Sequence, residues 1–172
     1  MKKTRELVLA GLFSAVIAVF TFISVPSPSG VPVTLQTFAI ALCGYVCGAK
    51  RAAVSVAVYI AVGLVGAPVF SGFRGGIQVI VGPTGGFIAG FFAIALLCGI
   101  KTGKLYNTAL LSLSGIIICH ILGTLWFSVL NGTDFIASFL LVSLPYLPKD
   151  IISVFSAFLA SKPLVKAIKR IE

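Results

Sequence analysis

A chain of 172 residues that is 59% hydrophobic, only 10% charged and has a mean hydropathy of +1.15 lies outside the soluble range and belongs in a bilayer. That length holds about six helical crossings of a ~30 Å hydrocarbon core with no room for a soluble domain, so the expected fold is all-α: one membrane bundle, residues 1–172, of six transmembrane helices. The net charge of +9 would suggest nucleic acid in a soluble protein, but here the basic residues fall at helix ends, where they set orientation.

The first span, 7 to 25, follows Lys2, Lys3 and Arg5 like a signal peptide, yet it is too long and lacks a small-residue cleavage site, so it reads as a retained helix. It carries Ala10, Ser14 and Ala18 at spacing four with Gly11 and Ala15 beside them, a strip against which another membrane helix packs closely, either inside this bundle or from a partner. Further spans are expected at 33 to 49, 52 to 70, 84 to 100, 106 to 129 and 148 to 168. With the N-terminus inside, one face gathers Lys2, Lys3, Arg5, Lys50, Arg51, Lys101, Lys104, Lys162, Lys166, Lys169 and Arg170. An even number of crossings then puts both termini in the cytoplasm. Arg74 and Lys149, with Asp134 and Asp150, are left near the outer face.

The outer connections are unusual. Val25 to Pro32 reads VPSPSGVP, whose prolines favour a stiff extended segment suited to a lid. Gly66 to Gly86 reads GAPVFSGFRGGIQVIVGPTGG, with enough glycine to fold closely around a ligand. Between Asn131 and Leu147, Phe135 to Leu144 is expected to form a short interfacial helix. The alternative is one long helix from 135 to 161 that sinks Lys149 and Asp150 into the membrane.

Ionisable side chains in a bilayer cost about 2.5–3.5 kcal/mol on insertion scales, which singles out Asp150, Lys149 and Arg74. Asp150 also suits the first turn of a helix behind Pro148. Neighbours on a helix project about 100° apart, so Lys149 and Asp150 are not expected to face one small pocket together. Arg74, within GFRGG, fits a solvated loop and anion capture equally. His120 reads as a hydrogen-bonded packing residue; with no second histidine or carboxylate at ligand spacing, no metal site is expected. Cys43, Cys47, Cys98 and Cys119 read as free thiols. Neither a GxSxG elbow nor a nucleotide-binding motif occurs, so an enzyme is not expected and any driving energy comes from a partner or a gradient.

VPVTLQTF at Val31 to Phe38, GAPVFSGFRGGIQVIVGPTGG at Gly66 to Gly86 and PYLPKD at Pro145 to Asp150, in that order, resemble the BioY family, the biotin-specific substrate-binding components of energy-coupling-factor (ECF) transporters. HILGTLWF in the fifth span is similar too, and the likeness runs from about Gly30 to Ala160. The resemblance implies a multi-pass protein of the prokaryotic plasma membrane that binds biotin as transported ligand, uses no cofactor, and works with a membrane coupling subunit and two ATPase subunits. Ala10, Gly11, Ser14, Ala15 and Ala18 would then face the coupling subunit. Asp150 would accept the ureido N–H bonds, and Arg74 or Lys149 would hold the carboxylate or balance Asp150. Gln36 and Gln78 are further polar candidates; Phe70, Phe73, Phe87, Trp126 and Tyr146 are candidate walls; Gly85 and Gly86 would let backbone approach the ligand. The family pattern often has glycine before the aspartate and lysine three after it, and this sequence departs from it with Lys149 and Ser153 at those positions. The competing expectations are a component for another vitamin, such as thiamine or riboflavin, and a self-contained small-molecule transporter.

Overall fold

The computed structural model describes residues 2–171; Met1 and Glu172 lie outside the described residues, as do the side chains of Lys2, Lys3, Arg5, Lys169 and Arg170 and hence their part in the basic cluster. The first helix, α1 (Lys2–Phe22), ends just before the proline-rich segment. That segment is the loop of a two-stranded antiparallel ribbon, β1 (Ser24–Val25) against β2 (Val33–Thr34), with Ser24 opposite Thr34 and Val25 opposite Val33. Three prolines lack the N–H that a helix needs, so the chain leaves α1 extended and returns extended.

The helices α2 (Gln36–Cys47) and α3 (Ala49–Leu64) follow, joined at Gly48, whose φ of 85° makes the bend available to glycine at little cost. A one-turn α4 (Ile77–Ile80) precedes α5 (Gly85–Cys98), α6 (Leu105–Asn131), α7 (Phe135–Val142) and α8 (Leu147–Ile171). Only α6 and residues Leu147–Ile168 of α8 are, among the described residues, both long and apolar enough to cross a bilayer by length and composition. The expected spans 33 to 49, 52 to 70 and 84 to 100 are therefore corrected to shorter helices. At 12 residues, α2 is about 18 Å long. Extended backbone at β2 and the glycine-rich run from Gly66 take up the remainder. Thr34 of β2 and Phe70, Ser71, Val79 and Thr84 of the glycine-rich run line a cavity.

A break at Ser143 to Tyr146 separates α7 from α8, which excludes the single long helix and leaves Asp150 in the first turn of α8. Asp134 caps α7: its Oδ2 accepts from Ile136 N at 2.8 Å and Ala137 N at 3.3 Å. Asp134→Ala is expected to cost about 1 kcal/mol and to show as faster amide hydrogen exchange across α7.

The bundle is built around α2, which packs on α1, α3, α5 and α8, while α6 lies along α5. Ile17, Ile40, Tyr59, Ile94 and Ile116 fill the centre. Outward faces are apolar too: Val129 is 81% exposed and Ile152 65%, as suits a surface facing lipid rather than water. Ala49 N donates to Gly99 O at 3.0 Å, and Arg51 lies 3.6 Å from Glu6, so the turns carrying Lys50, Arg51 and Lys101 share one end of the bundle with the start of α1. The ribbon, the glycine-rich run and α7 lie toward the opposite ends of these helices.

The small-residue strip of α1 is divided. Ala10, Ser14 and Ala18 are buried within the bundle, whereas Gly11 and Ala15 are exposed. The first three serve internal packing, so of the five residues expected to face a partner only Gly11 and Ala15 are open on the bundle surface. The reason is geometric: positions one residue apart turn about 100° on a helix, so the two series look in different directions.

Candidate ligand-binding site

A cavity of about 60 Å³ opens between β2, the starts of α2 and α8, the middle of α6 and the glycine-rich run. Its polar centre is Asp150, 7% exposed. Asp150 Oδ2 lies 3.0 Å from His120 Nε2, and Lys149 Nζ contacts Oδ1. The Lys149 ammonium also donates to Thr34 O at 2.8 Å, tying α8 to the ribbon. On the other side of the imidazole, Nδ1 is 3.0 Å from Ser143 Oγ, which is 2.7 Å from Thr124 Oγ1. A carboxylate this buried needs a counter-charge and hydrogen-bond donors: Lys149 supplies the charge and His120 a donor to Oδ2, while Oδ1, beside the ammonium, has no hydrogen-bond partner.

Across the cavity, the Gln36 amide nitrogen is buried with no hydrogen-bond partner. An unpaired buried donor costs about 1–3 kcal/mol, a penalty that a ligand acceptor would remove. Phe70, Phe87 and Phe91 supply apolar walls, with Phe70 edge-on to Tyr59 and Phe87 edge-on to His120. The Tyr146 hydroxyl donates to Val31 O at 2.7 Å and lies 3.3 Å from Ser29 Oγ, so the proline-rich loop is latched over the cavity by Tyr146, the last residue of the break before α8. At about 60 Å³ the space suits a few waters, and a larger ligand would require this latch or the walls to move.

A profile of the BioY family matches residues 1–170. The chain belongs to the BioY family. The probable biotin transporter BioY of Pyrococcus horikoshii is 38% identical over 94% of this chain and 97% of its own length. The biotin transporter BioY of Thermotoga maritima is 42% identical over 74% of this chain and 75% of its own. A crystal structure of the S-component for biotin from an ECF-type ABC transporter superimposes with a TM-score of 0.85 at 25% identity, covering 96% of this chain and 93% of that one.

In this BioY-family chain the expected site residues divide into three groups. Asp150, Lys149, Gln36, Tyr146, Phe70 and Phe87 all line the inner cavity. The expectation that Lys149 and Asp150 point apart is corrected: the lysine side chain is long enough for its ammonium to reach both Thr34 O and the carboxylate. Arg74 and Phe73 lie instead in an outer recess that shares Pro32 and Ser71 with the cavity. There Arg74 Nε donates to Ser71 O at 3.1 Å, and Phe73, held at a φ of 55°, stacks on Phe22 at 4.5 Å. Gln78 is exposed and turns its amide back onto Gly75 O.

Gly85 and Gly86 form the third group, outside the cavity lining and against neighbouring helices. A side chain at Gly86 would run into Leu122 O and Trp126 Cβ, and one at Gly85 into Ile80 O. These glycines admit the backbones of α4 and α6. Trp126 lies on the same seam, its indole donating to Gly82 O at 2.8 Å, and does not line the cavity.

Sequence reasoning left His120 as a packing residue and did not single out Thr37, Tyr59 or Ser143. His120 is indeed hydrogen-bonded and buried, but it is also a wall of the site. The available signal was two polar residues, His120 and Thr124, one turn apart in an otherwise apolar span. Among the described residues no cluster of three or more metal-ligating side chains occurs.

Proposed function

We propose that this chain is the biotin-binding S component of an ECF-type transporter in a prokaryotic plasma membrane, with the inner cavity as its ligand site. It is a single domain crossing the membrane six times with both termini cytoplasmic, so that the end carrying Lys50, Arg51 and Lys101 faces the cytoplasm and the ribbon and glycine-rich run face outward. The exposed side of α1 with Gly11 and Ala15 meets a membrane coupling subunit, and two ATPase subunits supply the energy.

The observation that carries the assignment is the pairing of a held carboxylate with an unpaired amide donor across one cavity walled by phenylalanines. A ureido group offers two N–H donors and one carbonyl acceptor on an apolar bicycle. Asp150 takes N–H bonds and Gln36 Nε2 donates to the carbonyl. The curated relatives carrying the name biotin transporter support the same ligand. The valerate carboxylate lies toward the mouth, where Arg74 and Lys149 are the nearby cations.

Gln36→Leu tests the pairing. It removes the donor proposed for the ureido carbonyl and also removes an unpaired buried amide. Biotin affinity is expected to fall about tenfold in equilibrium titration while the thermal stability of the ligand-free protein holds or rises. Unchanged affinity would count against the proposed ureido orientation.

A further inference from the structure

We infer that His120 is a positioning residue for ligand capture, held by Ser143 and Thr124 as the neutral tautomer with its proton on Nε2. The effect of His120 on affinity rests on biotin being the ligand; its protonation does not. Asp150 Oδ2 is an acceptor 3.0 Å from Nε2, so that nitrogen donates. Nδ1 then has to be satisfied from the other side, and the group there is the Ser143 hydroxyl at 3.0 Å. Ser143 has one proton, for which the His120 backbone carbonyl at 3.4 Å competes with Nδ1 at 3.0 Å, and a second hydroxyl beside it, Thr124 Oγ1 at 2.7 Å. The three shortest contacts are all made when Thr124 donates to Ser143, Ser143 donates to Nδ1 rather than to the more distant His120 O, and Nε2–H donates to Asp150.

Charge points the same way. Asp150 already contacts the Lys149 ammonium through Oδ1, so a neutral ring leaves the Asp150–Lys149–His120 group with no net charge. A protonated ring would leave one uncompensated positive charge beside side chains that are 3% exposed at His120 and 0% at Thr124 and Ser143. The other groups facing the imidazole do not alter this balance. Phe87 of α5 presents an aromatic ring, and Tyr146 and Tyr59 line the same cavity as phenols.

The relay joins three parts of the fold. Thr124 and His120 stand on α6, Ser143 at the break between α7 and α8, and Asp150 in the first turn of α8. Each carboxylate oxygen has two lone pairs, so fixing Oδ2 from one side orients the carboxylate while leaving lone pairs for the ligand. Orientation made before binding reduces the ordering cost of binding.

The single histidine makes the test direct, because 15N-histidine labelling gives one imidazole to observe. In the ligand-free, purified full chain near neutral pH, 15N NMR is expected to show one protonated nitrogen, Nε2, and one bare nitrogen, Nδ1. An imidazolium or a proton on Nδ1 alone would overturn the inference. In biotin titrations His120→Gln, whose amide nitrogen replaces Nε2 as donor, is expected to stay within about threefold of wild type, and His120→Leu to lose about tenfold or more. A folded His120→Leu protein that binds as tightly as wild type would also overturn it. If His120→Leu fails to fold, the NMR result and the Gln variant decide. If the wild-type chain itself ignores biotin, the ligand assignment fails and the NMR result alone judges His120.

Discussion

Asp150→Asn is expected to weaken biotin binding by about 30-fold or more, the consequence of a ~2–5 kcal/mol loss when one member of a buried, hydrogen-bonded charge pair is removed. The replacement keeps the shape of the side chain but loses the charge that Lys149 Nζ contacts and that His120 Nε2 bonds. Lys149 retains a partner in Thr34 O and is partly open to solvent, so it has somewhere to discharge the mismatch. The fold is therefore expected to survive and the loss to fall on the ligand. Equilibrium titration alongside thermal unfolding separates the two effects. A folded Asp150→Asn protein with wild-type affinity would remove the carboxylate from the site.

Gly86→Ala is expected to do the opposite, lowering stability first. The added methyl meets Leu122 O and Trp126 Cβ and comes within 3.0 Å of Gly123 Cα, so two of the three obstacles belong to the α6 backbone and cannot rotate away. Overpacking of this kind costs about 1–3 kcal/mol. The same seam runs on to Gly90, where a methyl would sit 2.6 Å from Cys119 Cα. A falling melting temperature in detergent, with biotin affinity of the surviving folded fraction preserved, is the expected outcome. A fully stable Gly86→Ala protein that has lost biotin would return Gly86 to the ligand site.

These two residues also mark how far the sequence could be read. Helices were legible wherever apolar runs end in charge, as at Lys50 and Lys101, because burial against lipid and the end charges act locally. Asp150 stood out because a carboxylate in so apolar a chain needs a reason. The short α7 was legible as one of two readings, because the apolar run from Phe135 is too short to span a bilayer if the last helix begins near Pro148.

Positions that depend on distant parts of the chain were not legible. His120 meets Asp150 across 30 residues and Ser143 across 23, and a lone histidine has no spacing partner to announce such contacts. Gly85 and Gly86 sit in a run whose composition serves ligand approach and helix approach alike; only the position of α6 decides. Lys149 was misjudged because the angle between neighbouring Cα–Cβ directions says little about where a four-carbon stem ends. Helix ends at β2 and Gly66 were hidden by side chains as apolar as those of the helices themselves.

The most direct measurement of the central claim is equilibrium titration of the purified, isolated wild-type chain with biotin, thiamine and riboflavin, without any partner subunit. Saturable one-to-one binding of biotin, with thiamine and riboflavin bound far more weakly, is the predicted result. Absence of biotin binding by the folded protein, or equal binding of thiamine or riboflavin, would contradict the account.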